Sequence, residues 1–180
     1  MTTHTTGPMA ERTTASSIRI ERVLAGNPER VWRYLVDPDL RARWLCGGAV
    51  GTRVGEPIEF AFDHSRLGAS PPPERFQEIA QIDLVGTVVE IDPPERIAFA
   101  WPSEAGTEDT LVTIVLTPIE GGTRLVLTHE KMPSDEDLFS ASAGWHVHLD
   151  IMVCLCRDSA TPDFWPAHEV AEAAYRAAWS

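Results

Sequence analysis

Positive charge is what this sequence has least of: 15 Lys and Arg stand against 27 Asp and Glu in 180 residues, a formal net charge of −12. Phosphate backbones and anionic lipid surfaces are held by Lys and Arg, so neither nucleic acid nor a membrane is expected as a partner. The excess acid reads as a solubilising surface. Cysteine is also scarce, with three residues. Cys154 and Cys156 lie two apart in a helical pattern, where their side chains diverge by roughly 200°, and Cys46 would be left over. That excludes a disulfide framework and fits a reducing, cytoplasmic setting. No apolar run approaches the ~20 residues of a membrane span. The opening MTTHTTGPMAERTTASS lacks the apolar core of a secretion signal and reads as a disordered tail over residues 1–15. There is no P-loop, dinucleotide fingerprint, GxSxG or HExxH, so no cofactor or metal is expected and no catalytic residue is assigned.

What is present is a core. Hydrophobic residues make up 43% of the chain, and a domain of this length buries roughly 70% of its unfolded surface. The segment GTVVEIDPPERIAFAW, Gly86 to Trp101, carries two alternating runs around a turn. Val85, Val89 and Ile91 share one face of the first run, and Ile97, Phe99 and Trp101 one face of the second. Asp92-Pro93-Pro94-Glu95 joins them, because two prolines remove two ladder donors. This predicts a hairpin.

Ile18, Ile20 and Val23-Leu24 predict an earlier strand. Asn27-Pro28 then caps and starts a helix with the stripe Val31, Trp32, Leu35 and Val36. Asp37-Pro38 interrupts it, and a second short helix carries Leu40, Trp44 and Leu45 as far as Gly47-Gly48. Ile58, Phe60 and Phe62 alternate as a strand, and Ser70-Pro71-Pro72-Pro73 opens a loop. Val112, Ile114, Leu116 and then Leu125, Leu127, His129 form a second hairpin about Glu120-Gly121-Gly122. Pro133-Ser134 with Asp137 marks a helix start, and Gly144 implies a break before the main run. From there Trp145, His148, Leu149, Met152 and Cys156 make one face of a long amphipathic helix. Residues 159–180 follow as a helical appendix with Pro166 near the start of a further helix and Val170, Tyr175 and Trp179 along it.

This order is an α+β layout: an antiparallel sheet with a long helix lying across it. The motifs NPERVWRYLVDPDLRARWL, GTVVEIDPPERIAFAW, TRLVLTHE and GWHVHLDIMV resemble the SRPBCC superfamily, the START or birch-pollen-allergen helix-grip fold, in its branch similar to the activator of the heat-shock-chaperone ATPase. The resemblance covers residues 16–158. It implies a curved antiparallel sheet gripping the long C-terminal helix, two short helices after the first strand, and an interior cavity that accepts an apolar or aromatic small molecule. It carries over no catalytic residue.

The candidate ligand-binding residues are Trp44, Phe60, Phe62, Trp101, His129, Trp145, His148 and Met152. The aromatic rings offer large apolar area, and the imidazoles a polar contact or a base. His129 ends the inward stripe of its strand, and His148 sits on the long helix's apolar face. His146 should not face the sheet. His64, if it continues the stripe of Phe60 and Phe62, could bring a third imidazole close, although the spacing matches no metal motif. Arg41 and Arg43 beside Trp44 read as a solvated face, with a carboxylate-binding role at the cavity mouth as the alternative. Cys156 reads as a small buried hydrophobe. The leading expectation is a binding protein for a small hydrophobic or aromatic ligand, with a homodimer left open. A cyclase-, dehydratase- or hydrolase-like enzyme using a cavity histidine is the rival, and a chaperone ATPase co-factor the third reading.

Overall fold

The computed structural model describes residues 7–103 and 108–179. Seven antiparallel strands form one sheet: β1 (Glu11–Thr14), β2 (Ser17–Leu24), β3 (Pro57–Asp63), β4 (Gln81–Asp92), β5 (Arg96–Trp101), β6 (Thr110–Ile119) and β7 (Gly122–Glu130), in the order β1-β2-β7-β6-β5-β4-β3. The hairpins β4–β5 and β6–β7 fall where alternation and turn residues place them. β1 lies within the segment that reads as a disordered tail. Its polar sequence ERTT carries no apolar alternation, yet it pairs with β2 as a short edge strand. Residues 1–6 of that expected tail lie outside the described residues.

Local chemistry starts the helices as expected. The Asn27 side chain accepts from the Arg30 N–H at 3.0 Å and Pro28 opens α1 (Pro28–Val36). The Asp37 carboxylate then accepts from the N–H groups of Asp39 and Leu40, opening α2 (Pro38–Arg41). α2 stops short of Trp44, which follows in turns bonded to the Leu40 and Arg41 carbonyls, and the Arg41 side chain is drawn inward. Its guanidinium donates to the carbonyls of Cys46 at 3.1 Å, Gly47 at 2.7 Å, Gly48 at 2.9 Å, and Glu59. Arg41 is therefore buried and not solvated, while Arg43 is exposed. Through Nε and Nη2, Arg41 pins the 46–48 loop to β3, a structural role in place of one at the cavity mouth.

β4 departs from the expected facing. Val85 and Val89 are exposed, and Gly86 and Val88 point inward instead. A bulge between Val88 and Glu90 places Val89 opposite no partner, so the parity reverses and Ile91 returns toward the core opposite Ile97. Gly86 has a steric reason to be glycine. A Cβ there would collide with the Ala100 carbonyl and press on the Phe60 ring, so the sheet can close tightly at this point.

The long helix α3 (Asp135–Cys156) runs unbroken through Gly144, where an added Cβ would meet open space, so this glycine is a vacancy and not a break. Ser134 caps it by accepting from the Asp137 N–H. Among the described residues α3 is the one helix long and apolar enough to cross a membrane, which the sequence reading did not anticipate. Of its apolar window 67% is buried inside the domain, as in a core helix. Trp145, Leu149, Met152 and Cys156 face inward. α4 (Phe164–Trp179) packs along α3, and its Phe164, Trp165, Ala167, Ala171 and Tyr175 join the same hydrophobic cluster as the sheet. The Tyr175 hydroxyl accepts from the Ala10 N–H at 2.7 Å and meets His146 Nδ1 at 2.9 Å. The appendix is thus built into the core.

Candidate functional site

A cavity of about 670 Å³ lies between the sheet, α3 and α4. Phe62 of β3, Ile82 and Leu84 of β4, Trp101 of β5, Thr110 of β6 and His129 of β7 supply the sheet side; Gly144, Trp145 and His148 supply α3. Phe164, Trp165 and His168 of α4 close one wall, and Phe76 of the proline-rich loop another. Exposed Ile79, Pro133 and Asp137 mark the rim. The open space beside Gly144 is part of the void.

Of the eight candidate ligand-binding residues, Phe62, Trp101, His129, Trp145 and His148 line this cavity. Trp44, Phe60 and Met152 do not. Trp44 is buried with its indole N–H donating to the Tyr34 carbonyl at 2.8 Å, Phe60 packs under Gly86 against Phe99 and Trp101, and Met152 is fully enclosed. The alternation that identifies an inward face does not separate wall from filling. Sequence reasoning also missed Thr110 and the α4 aromatics. Thr110 opens a strand as an ordinary polar residue, and α4 was set aside because it falls outside the motif pattern.

The rings form a continuous series. His64 and His148 stand 5.5 Å apart by centroid, each 4.6 Å from Phe164. Phe62 contacts both, and lies 5.9 Å from Trp101. Trp101 in turn contacts His129 at 6.0 Å and Trp145 at 5.5 Å. His129 is therefore separated from the other two imidazoles by the Phe62–Trp101 pair. No group of three His, Cys, Asp or Glu suited to a metal ion occurs among the described residues. His146 is buried away from the cavity, beside Tyr175 and the Asp150 that pairs with Arg22 of β2.

The hydrogen bonds fix each tautomer. The Trp145 indole N–H can only donate, and it reaches His129 Nδ1 at 3.1 Å, so that nitrogen carries no proton. The neutral ring then holds its proton on Nε2, which donates to Thr110 Oγ1 at 2.7 Å. Burial pushes the His129 pKa down to about 4, keeping the ring neutral. This polarity is the reverse of a nucleophile–base dyad, in which Nε2 must accept the hydroxyl proton. Thr110 is not activated.

His64 Nδ1 lies 3.1 Å from the Ala80 carbonyl and His148 Nδ1 2.7 Å from the Trp44 carbonyl. A carbonyl only accepts, so both rings carry the proton on Nδ1 and present a bare Nε2. Burial, followed by the neighbouring His64, holds His148 well below the usual imidazole range; burial also lowers His64. His168 is lowered to about 4, again by burial, against the opposing pull of Glu172. The imidazoles of the cavity are thus held toward their neutral form, and the carboxylate at its edge is Asp137, on the exposed rim. The cavity's α4 wall is fastened by a bidentate Arg75–Glu172 pair at 3.0 and 2.9 Å and by Arg176, which bridges Glu172 and Glu136.

The sequence matches the family model described as Activator of Hsp90 ATPase homolog 1-like protein over residues 25–156. The solution structure of a Bordetella parapertussis protein is 34% identical, covering 98% of this chain and 94% of that one, with a TM-score of 0.79. CalU16 from Micromonospora echinospora shares 22% identity over 89% of this chain and 86% of its own, at a TM-score of 0.67. DynU16 shares 16% identity, covers 84% of this chain and 51% of its own, and has a TM-score of 0.64. No protein of curated function matches the sequence. A seven-stranded sheet gripping a long helix, the matched segment and the Bordetella relative agree, and the chain belongs to the family of Activator of Hsp90 ATPase homolog 1-like proteins, with the SRPBCC helix-grip fold.

Proposed function

We propose that this protein binds a small, uncharged aromatic molecule in the cavity between the sheet, α3 and α4. The observation that carries this reading is a cavity of about 670 Å³, open at one rim and walled by Phe62, Trp101, Trp145, Phe164 and Trp165, with neutral imidazoles and the Thr110 hydroxyl among its inner polar groups. That volume suits a ligand of drug-like size, and a mostly apolar wall with a few placed polar groups is how such ligands are held. An anion would enter without a countercharge, since no Lys or Arg among the described residues lines the cavity, at a cost of several kcal/mol or more. DynU16, which shares the fold, is a protein of the dynemicin biosynthetic locus, a small-molecule setting in keeping with this reading. The inverted polarity of Thr110 and His129 counts against acyl transfer.

The test is native mass spectrometry of the purified protein, followed by denaturing extraction. Adducts of an uncharged aromatic compound, displaced by an added aromatic probe, support the reading. A protein that stays unliganded and takes up no aromatic probe at millimolar concentration refutes it.

A further inference from the structure

The hydrogen bonds around the cavity do more than neutralise it; they give its two ends opposite demands. At one end His64 and His148 have each spent their single proton on a carbonyl, of Ala80 and of Trp44. Among the described residues neither Nε2 has a hydrogen-bond partner, and both rings line the cavity. Two acceptors with no donor face the void. At the other end Thr110 Oγ1 already accepts from His129 Nε2–H, because Trp145 occupies Nδ1. Its own hydroxyl proton has no acceptor among the described residues, so Thr110 offers a donor to the cavity. Between the two ends lie the faces of Phe62 and Trp101, 5.9 Å apart by centroid.

We infer that the cavity selects a hydroxylated aromatic carbonyl compound. A phenolic O–H donates to Nε2 of His64 or His148, the ring lies against Phe62 and Trp101, and a carbonyl or ether oxygen accepts from Thr110. The inference rests on the binding reading above and narrows it to one ligand class. It also reassigns His129. That residue does not touch the ligand's oxygen; it orients the Thr110 hydroxyl, and Trp145 in turn sets the His129 tautomer.

A purely apolar ring leaves all three groups unpaired and loses on each. A phenol with its oxygen methylated puts two acceptors face to face. A carboxylate is worse, bringing an uncompensated charge. The expected order is therefore acyl β-naphthol, then β-naphthol, then β-methoxynaphthalene and naphthalene, with β-naphthoate last.

The experiment is a tryptophan-fluorescence titration of the full chain with these five probes. β-Naphthol should bind about 3- to 10-fold more tightly than its methyl ether, the worth of one hydrogen bond. Replacing both imidazoles, His64→Phe and His148→Phe, should remove that preference and leave naphthalene unchanged or tighter. Thr110→Val should remove the advantage of the acyl group alone. Long-range nitrogen–proton spectra of the unaltered protein supply a check that no substitution can spoil. They should show Nδ1–H at His64 and His148, Nε2–H at His129, and a shift of the His64 or His148 Nε2 resonance on adding β-naphthol. Equal affinity for all uncharged probes, or Nε2–H tautomers at His64 and His148, overturns the inference while leaving the binding reading intact. Failure of every probe to bind overturns both.

Discussion

Deleting residues 161–180 is expected to unfold the protein, although that segment lies beyond the recognised motif pattern. α4 places Phe164, Trp165 and Tyr175 in the core, each less than 5% exposed. At about 1.5–3 kcal/mol for each large apolar side chain removed from water, the three contribute roughly 5–9 kcal/mol. Loss of the Tyr175 hydroxyl also leaves the Ala10 N–H without its acceptor and His146 Nδ1 without its neighbour, at about 1 kcal/mol apiece. Rings left on the other side, His64, His148 and Phe76, would become exposed where Phe164 and Trp165 now cover them. The total rivals the entire stability of a domain this size, about 5–15 kcal/mol. Urea unfolding followed by circular dichroism and tryptophan fluorescence decides the matter. The truncated chain should show no cooperative transition, or a midpoint close to zero denaturant. A cooperative transition within about 1 kcal/mol of the full chain would show that α4 is an ornament and that the cavity wall it forms is dispensable.

Three further outcomes follow from the same packing. Trp145→Ala and Leu149→Ala should each lower stability by about 2–5 kcal/mol in denaturant melts, as deletions of large core side chains do; losses under about 0.5 kcal/mol would mean that α3 does not grip the sheet with this face. Asp150→Ala should cost about 3–5 kcal/mol, because it strips the buried Arg22 guanidinium of the carboxylate 2.8 Å from its Nε, and an unchanged midpoint would contradict a desolvated pair. Stability should also fall with pH below neutrality. His129 and His168 titrate near 6.5 when unfolded and at about 4 when folded. The unfolded chain therefore binds protons first, and stability that is complete above about pH 6.5 declines as the pH drops toward 4, by about 1.4 kcal/mol per unit for each such ring. Urea midpoints measured at pH 7.5 and 5 would coincide only if the imidazoles were solvated.

The strands and their hairpins were legible because alternation with period two, interrupted by Pro93-Pro94 and by Gly121-Gly122, reports one buried face directly. Facing within β4 was not legible, since the bulge at Val89 reverses parity without any glycine or proline to announce it. Arg41 looked like a surface residue because the carbonyls that bury it come from a loop and from β3, up to 18 residues away. Gly144 suggested a break because the pattern cannot distinguish a glycine that ends a helix from one that makes room beside it. Five of the eight candidate ligand residues border the cavity and three fill the core beside it, because periodicity marks an inward face without marking which inward residues meet the void. The chemistry of the site was not, because the His129 tautomer depends on Trp145 and Thr110, partners that meet only once α3 crosses β6 and β7. The helix α4 was legible, but its place in the core was not, because its Ala-rich spacing looks like an ordinary surface helix until Tyr175 and Phe164 find the core.

The central claim is that an uncharged aromatic molecule occupies the space among Phe62, Trp101, Trp145 and His148. Solution NMR of the labelled protein with unlabelled β-naphthol tests it most directly. The account predicts saturable shifts and intermolecular Overhauser contacts at those four side chains and at Phe164, with the outer sheet face around Val85 and Val89 undisturbed. Contacts confined to that outer face, or shifts that never saturate, would contradict it.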